Sequence, residues 1–278
     1  MNLLHAIILG IVQGLTEFLP VSSSAHVQIV SEVLGVPNLA DKNSSTTAFI
    51  ATIQLGTEAA VLIYFAKDII RLASAWFAGL FNKNKRSNLD YRLAWLVIMA
   101  SIPVGVVGFA FKSFIENDVR NLWVIAFTLI GFAVVLFFAD RIGKKQKTTS
   151  DLTTRSALVF GLGQMLSVIP GVSRSGASIS FGLLAGFKRA DAARFSFLIG
   201  IPAVLASGLY EFKSNYQNLG TDLTPTIVAT FTSFVVGYLV IAGLLKYLNK
   251  GSFLPFVIWR ILVGSGLIVA LSLGLIAA

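Results

Sequence analysis

Six runs of about 20 mostly apolar residues dominate this 278-residue chain. They lie at 46–66, 92–112, 119–139, 192–210, 225–247 and 255–277. Each run is long enough to cross the hydrocarbon core of a membrane as a helix. Because 55% of the residues are hydrophobic and only 13% are charged, the chain is too apolar to be an ordinary soluble domain. We therefore expect an integral membrane protein, with residues 1–278 forming a single membrane domain.

Two further apolar segments, 3–36 and 156–187, are each interrupted near the middle by proline and serine. The interruptions read LPVSSSAH and IPGVSRSGAS, so each segment is predicted to be a helix, a break and a second helix. Unwound backbone at membrane depth is tolerated only where it is buried in protein or lines a wet cavity. The two breaks are therefore the candidate binding sites.

The distribution of Lys and Arg predicts the orientation. The segments 67–92 and 141–155 are rich in both, which is typical of cytoplasmic loops. If 156–187 is a re-entrant hairpin, most of the 22 basic residues lie in the cytoplasm. The opposite side then holds only Lys42, Lys112, Arg120 and Lys213. The net charge of +9 is explained by these loops, and no nucleic-acid partner is expected.

In this layout each broken segment is followed by three full spans, and the two segments enter the membrane from opposite sides. That arrangement is an inverted-topology repeat, with one half at about 1–140 and the other at about 155–278. The prolines at the breaks, Pro20 and Pro170, lie 150 positions apart, which supports the repeat. The predicted fold is an all-α integral membrane protein with six transmembrane helices and two re-entrant helix hairpins.

The first break carries several polar side chains. Gln13 and Glu17 are four residues apart and share one face of the incoming helix. After the break, Ser22 and Ser23 precede His26 by four and three residues, which brings hydroxyl and imidazole together. A carboxylate inside a membrane is costly, so Glu17 is expected to serve a function.

The second break has the composition of an anion site. Ser173, Arg174, Ser175 and Ser178 lie at the start of the outgoing helix. A helix N-terminus offers unpaired N–H groups, and hydroxyls and a guanidinium complete a phosphate site. Serine runs are also common at contacts between transmembrane helices, but a buried Arg174 points to function. If the two breaks meet near the midplane, they form one pocket suited to phosphate.

Other intramembrane residues are harder to assign. Glu58 and Arg260 lie inside predicted spans; they could pair with each other, or Arg260 could add a phosphate contact. The tryptophans, Trp259 among them, lie near predicted span ends and are interpreted as interfacial anchors.

The stretch Gln13-Gly-Leu-Thr-Glu-Phe-Leu-Pro-Val-Ser-Ser-Ser-Ala-His26, together with Pro170-Gly-Val-Ser-Arg-Ser-Gly-Ala-Ser178, resembles the undecaprenyl-pyrophosphate phosphatase (bacitracin-resistance) family. The resemblance implies hydrolysis of a polyprenyl pyrophosphate lipid, which recycles the carrier for cell-wall synthesis. It also implies location in the bacterial inner membrane among lipids, a site facing the extracytoplasmic side, and a divalent cation, Mg²⁺ or Ca²⁺. Members of the family often form homodimers. Where the family often has Glu, this chain has Gln13, which places a two-carboxylate metal site in question.

We therefore expect catalytic roles for Glu17, Ser23, His26 and Arg174, with Glu17 and Gln13 holding the metal. The expected phosphate-binding residues are Ser22, Ser24, Ser173, Arg174, Ser175, Ser178 and Arg260. Ser23 is the candidate nucleophile with His26 as its base; alternatively, His26 or Glu17 activates water directly.

A competing interpretation is a polyprenyl-phosphate flippase with alternating access, because inverted repeats and broken helices also describe carriers. A carrier has no need for a serine and a histidine beside a carboxylate, so the sequence favours an enzyme.

Overall fold

The computed structural model describes residues 2–36, 45–110, 121–215 and 223–276. Within these ranges the regular secondary structure is helical, apart from an isolated bridge between Lys147 and Phe187. The α-helices in chain order are α1 (Leu3–Phe18), α2 (Ser23–Val33), α3 (Ser45–Tyr64), α4 (Ala66–Phe81), α5 (Leu89–Ala110), α6 (Leu122–Ile142), α7 (Thr154–Met165), α8 (Arg174–Leu184), α9 (Arg189–Asn215), α10 (Thr224–Tyr247) and α11 (Leu254–Ser272).

Each of the six predicted apolar runs coincides with a helix. By length and composition α5, α6, α9, α10 and α11 could each cross a membrane. The helix α3 meets the same criterion only together with α4, from which it is bent by 69°. The prediction of an all-helical membrane protein is confirmed. Lys42, Lys112 and Arg120, which were assigned to the outer face, lie outside the described residues.

The sequence predicts a cytoplasmic loop at 67–92, but the structure has a helix over most of this segment. Most of it forms the amphipathic helix α4, followed by a 3₁₀ turn at Lys83–Ser87. Its apolar side chains Ile69, Leu72 and Trp76 recur every three or four residues and pack on the core, while its basic side chains, Lys67 and Arg71, are exposed. A search for uninterrupted apolar runs misses such a helix because its charged face breaks each run.

Both interrupted segments have the predicted helix–break–helix form. The first break separates α1 from α2, and the second separates α7, followed by a 3₁₀ turn, from α8. The helices α2 and α8 have 11 residues each, which corresponds to about 16 Å. That length is about half of what a membrane-spanning helix needs.

The two broken segments share their backbone conformation. Ser22 and Ser173 precede α2 and α8, and both have positive φ, 75° and 71°. Gly35 and Gly186 follow the same two helices, also with positive φ. Each pair is 151 positions apart in the sequence. Positive φ is rare outside glycine and asparagine, so its recurrence at two serines is a feature that the two segments share.

The packing repeats as well. A Cβ atom on Gly10 of α1 would lie 2.5 Å from the carbonyl oxygen of Ala229 on α10. A Cβ on Gly161 of α7 would lie 2.5 Å from the carbonyl oxygen of Ala100 on α5. Only glycine permits the two backbones to approach this closely. The first helix of each broken segment thus packs on the other half of the chain by the same contact.

A buried carboxylate at the end of α6 fixes the starts of two other helices. Asp140 accepts hydrogen bonds from Arg189 Nε at 2.6 Å and from the backbone N–H of Phe253 at 3.1 Å. These contacts hold the first residues of α9 and α11 against α6. The course of α11 then carries its middle past both breaks.

Candidate active site

The two breaks lie in direct contact. Arg174 at the start of α8 donates to Glu17 Oε1 at the end of α1, with an N–O distance of 2.6 Å. Next to it, the Ser175 hydroxyl donates to the carbonyl oxygen of Leu19 at 3.2 Å. Residues more than 150 positions apart in the sequence therefore form one polar cluster, which meets the condition that the sequence interpretation set for a single pocket.

Glu17 is the centre of this cluster. Its Oε2 accepts a hydrogen bond from Ser23 Oγ at 2.7 Å and from Gln13 Nε2 at 3.0 Å, while Oε1 accepts from Arg174. The Glu17 side chain is only 10% exposed, so a single guanidinium and two neutral donors compensate its charge in a largely dry surrounding. Gln13 is itself held by contact with Thr57 of α3 at 3.3 Å.

The serines at the two helix starts form matching pairs. The Ser22 and Ser24 hydroxyls are 3.2 Å apart, and the Ser173 and Ser175 hydroxyls are also 3.2 Å apart. Ser173 additionally accepts from the backbone N–H of Gly176 as the cap of α8. Strained backbone of the kind seen at Ser22 and Ser173 persists where the surrounding structure enforces it, often at functional sites. Here it directs the first turns of α2 and α8 towards one region.

His26 makes two hydrogen bonds, neither of them with Ser23. Its Nδ1 lies 2.8 Å from the carbonyl oxygen of Ser22, and its Nε2 lies 2.7 Å from the indole nitrogen of Trp259. A carbonyl oxygen only accepts and an indole N–H only donates, so the ring is neutral with its proton on Nδ1. In this structure the hydroxyl of Ser23 is held by Glu17, and the expected pairing of Ser23 with His26 as base is not formed.

Arg260 does not bind at the phosphate site, contrary to the expectation, and does not pair with Glu58. Arg260 is 1% exposed, and all five of its guanidinium N–H donors bind backbone carbonyl oxygens at 2.9 to 3.2 Å. The acceptors are Pro20 in the first break, Gly171 and Val172 in the second, and Thr128 and Leu129 of α6. Because an arginine has five such donors, none is left for a ligand. Arg260 joins the two breaks to α6.

The second break is also fixed by Thr128. Its hydroxyl donates to the carbonyl oxygen of Pro170 at 2.7 Å. The neighbouring Gly171 has φ 87°, and a Cβ there would lie 2.1 Å from Thr128 Oγ1. Glycine is thus required both by backbone conformation and by space.

Ser178 and Glu58 lie apart from the polar cluster. The Ser178 hydroxyl donates to the carbonyl oxygen of Arg174 at 2.8 Å, and the side chain is fully buried, so the expected phosphate contact is replaced by a bond within the helix. Glu58 of α3 is buried against α9, where a Cβ on Gly208 would meet its carboxylate oxygens.

The chain is similar to a known protein family over almost its whole length. The chain matches the family model described as "Bacitracin resistance protein BacA" over residues 6–266. The chain belongs to this family. Its relatives include proteins named undecaprenyl-diphosphatase from Nocardioides sp., 47% identical over 100% of this chain and 99% of the relative, and from Micrococcus luteus, 46% identical over the whole of both chains. A third, from Renibacterium salmoninarum, is 48% identical over 100% of this chain and 99% of the relative.

In this family member, sequence reasoning missed Trp259 and Thr128 as parts of the site. Trp259 is half-exposed, and a tryptophan near a span end is usually an interfacial anchor. One signal was present: Trp259 directly precedes the intramembrane Arg260 in the sequence. Thr128 carries no signal, since its partner is a backbone carbonyl that only the fold brings close.

Proposed function

We propose that this protein is an integral membrane phosphatase that hydrolyses undecaprenyl pyrophosphate to undecaprenyl phosphate and inorganic phosphate. This reaction recycles the lipid carrier for bacterial cell-wall synthesis, and it confers resistance to bacitracin. The proposal is carried by one observation: Glu17 lies between the Arg174 guanidinium, at 2.6 Å, and the Ser23 hydroxyl, at 2.7 Å. An anion-binding group, a base and a hydroxyl are the parts that phosphoryl transfer requires.

The pyrophosphate binds where the starts of α2 and α8 converge. Arg174 supplies charge and forked donors, and the first N–H groups of the two helices add a positive dipole end. The hydroxyls of Ser24 and Ser173 complete the site beside these donors. Ser22 and Ser175 support the same two helix starts. Such fixed donors stabilise the charge that develops on the transferred phosphoryl group.

Substrate binding prepares Glu17 as the base. When Arg174 turns towards the phosphate, Glu17 Oε1 loses its hydrogen-bond donor and becomes available to a cation, while Oε2 keeps its contact with Ser23. Its Oε2 is already in contact with Ser23, so Glu17 is better placed than His26 to take the hydroxyl proton.

Ser23 Oγ then attacks the terminal phosphorus as the bond from that phosphorus to the bridging oxygen breaks. Undecaprenyl phosphate leaves, and the hydroxyl proton passes to Glu17. Water next attacks the phosphoserine: its oxygen bonds to phosphorus, the bond to Ser23 breaks, and one water proton returns to Ser23. Glu17 releases the proton it holds to solvent.

The alternative is direct attack by water, activated by Glu17 or His26. The two routes differ in the covalent intermediate. Acid quenching during turnover, followed by mass spectrometry of the peptide containing Ser23, is expected to trap a phosphoserine. Full activity in Ser23→Ala would contradict the covalent route.

The donor set fits a divalent cation that the substrate shares. Among the described residues, no three His, Asp or Glu side chains form a metal-binding group. Glu17 offers one carboxylate and Gln13 one amide oxygen, and Mg²⁺ is commonly held by one or two carboxylates together with substrate phosphates. A cation bound there would neutralise charge on the phosphate oxygens. We propose that Glu17 and Gln13 hold Mg²⁺ or Ca²⁺ once the pyrophosphate is present.

The membrane arrangement we propose is an inverted-topology repeat of 1–140 and 155–278, with two re-entrant hairpins and six spans. Supporting it are the features that recur 151 positions apart, Ser22 with Ser173 and Gly10 with Gly161. The basic residues favour a cytoplasmic location for 67–92 and 141–155, so that the first hairpin enters from the extracytoplasmic side of the bacterial inner membrane. The active site then faces that side.

Hydrolysis is favoured over lipid transport. The relatives compared above are named for a phosphatase, and the contact of Glu17 with Ser23 has no purpose in a carrier.

The test is phosphate release from a polyprenyl pyrophosphate by the purified protein in detergent, with and without EDTA. We expect metal-dependent release by the wild type and a loss of about 100-fold or more in Arg174→Ala. Arg141→Ala, which removes an exposed arginine at the end of α6, is the matched control and should retain full activity. A folded wild type that releases no phosphate with either metal would refute the proposal and favour transport.

A further inference from the structure

One buried hydroxyl near the active site has no partner. Ser196 on α9 is 3% exposed, and within the described part of the chain its Oγ makes no hydrogen bond. The buried Ser180 differs, because its Oγ donates to the carbonyl oxygen of Gly176 at 2.7 Å. A buried polar group without a partner is costly, and an ordered water often supplies the missing bond.

Ser196 lines a small cavity that also borders the catalytic pair. Glu17 and Arg174 form part of its wall, and most of the remaining wall is apolar. The cavity has room for about one water molecule, and a buried water needs two to four polar partners. The hydroxyl, the carboxylate and the guanidinium provide three.

A glycine leaves this space beside the guanidinium open. Gly200 lies one turn after Ser196 on the same side of α9 and also lines the cavity. A Cβ there would lie 3.6 Å from Cζ and from one terminal nitrogen of Arg174. This is an ordinary van der Waals distance, so an alanine would fit at this position. With glycine there, no side chain of residue 200 packs against the guanidinium.

We propose that this cavity is a water site, and that Ser196 is a positioning residue acting on Glu17 through the bound water. This inference rests on the proposed function for its kinetic consequence. When Arg174 turns towards the phosphate, Glu17 loses one hydrogen-bond donor. The water held by Ser196 remains hydrogen-bonded to the carboxylate, which keeps the carboxylate aimed at Ser23.

The first test does not depend on activity. An experimental structure at a resolution that shows ordered water is expected to have one within hydrogen-bond distance of Ser196 Oγ in the wild type and to lack it in Ser196→Ala. A dry cavity in the wild type would overturn the proposal. A wild type with no phosphatase activity would refute the proposed function but leave this result valid.

The second test is kinetic. We expect Ser196→Ala to lower kcat about 5- to 10-fold with an unchanged KM, as for loss of one hydrogen bond in the transition state. Ser196→Thr keeps the hydroxyl and should restore most of the rate. Ser180→Ala is the matched control, because it removes a buried hydroxyl that bonds only within its own helix. Wild-type kcat in Ser196→Ala, or equal losses in the alanine and threonine variants, would overturn the proposal.

Discussion

The two breaks have the same backbone and different side chains. Counting 151 positions from one to the other, Ser22 corresponds to Ser173 and Ser24 to Ser175, and each pair keeps its positive φ or its hydroxyl contact. At the first helical position, however, the first break has Ser23 and the second has Arg174. The same helix start thus presents a hydroxyl at one break and a guanidinium at the other.

The incoming helices differ in the same way. Gln13 and Gln164 occupy corresponding positions, but Gln13 donates to Glu17 while Gln164 donates to the carbonyl oxygen of Ile199 at 3.2 Å. The position that corresponds to Glu17 is Val168. The second broken segment therefore keeps the helical framework and has no carboxylate at this position. The two helix starts thus share one backbone conformation, and a few differing side chains distinguish them.

The largest effect is expected from removing the charge that distinguishes the first break. Glu17→Gln keeps the size of the side chain and cannot accept the proton of Ser23. We expect kcat for phosphate release to fall by about 1,000-fold, within the range for loss of a general base. Glu32→Gln, at an exposed position on α2, should have wild-type activity. Loss of less than about tenfold in Glu17→Gln would mean that His26 or another group is the base.

Arg260 tests what holds the two breaks together. Replacing it with Met would remove five hydrogen bonds to backbone carbonyl oxygens in a buried place, three of which lie in the breaks and have no helical donor. We expect a loss of about 3 kcal/mol or more in stability, measured as a lower melting temperature in detergent, together with loss of activity. Arg155→Met, at an exposed position of α7, should melt like the wild type. A stable but inactive Arg260→Met protein would instead support a direct role in phosphate binding.

Arg260 also shows which contacts can be predicted from the sequence and which cannot. The apolar runs, the prolines and the serines at the breaks were sufficient to predict the long helices and the interrupted segments. The meeting of Glu17 with Arg174 was only a condition of the predicted pocket, because the sequence does not show how distant segments pack. Placing a charged side chain inside a membrane costs free energy, so the sequence marks Arg260 as important. That cost does not depend on whether the partner is a phosphate, a carboxylate or a carbonyl, so the sequence does not identify the partner. Backbone acceptors have no signature in the side-chain sequence. For the same reason the contact of Ser23 with Glu17 rather than with His26 could not be predicted from spacing alone.

Substitution of Trp259 tests the role of His26. The second break has no polar counterpart of His26, since Ala177 occupies the corresponding position. In Trp259→Phe the Nε2 atom of His26 loses its donor, while the aromatic packing is mostly kept. We expect a fall of about 3- to 10-fold in kcat, since one hydrogen bond is lost from a neutral ring. Trp95→Phe, a half-buried tryptophan of α5, is the control. An increase in rate would show that Trp259 restrains His26 and that the imidazole acts as a base when released.

The smallest effect is expected from metal added without substrate. The first break offers one carboxylate, already in contact with Arg174, and the second offers none at the corresponding position. Binding that requires the phosphates of the substrate cannot stabilise the free protein. We therefore expect Mg²⁺ or Ca²⁺ alone to leave the melting temperature unchanged, and either metal to raise it when a non-hydrolysable pyrophosphate analogue is present.

In Gln13→Glu, which gives the first break a second carboxylate, metal alone should begin to stabilise the protein, because a site with two carboxylates can hold the cation before the substrate arrives. A clear stabilisation of the wild type by metal alone would mean that the cation is resident and that Arg174 leaves Glu17 to admit it.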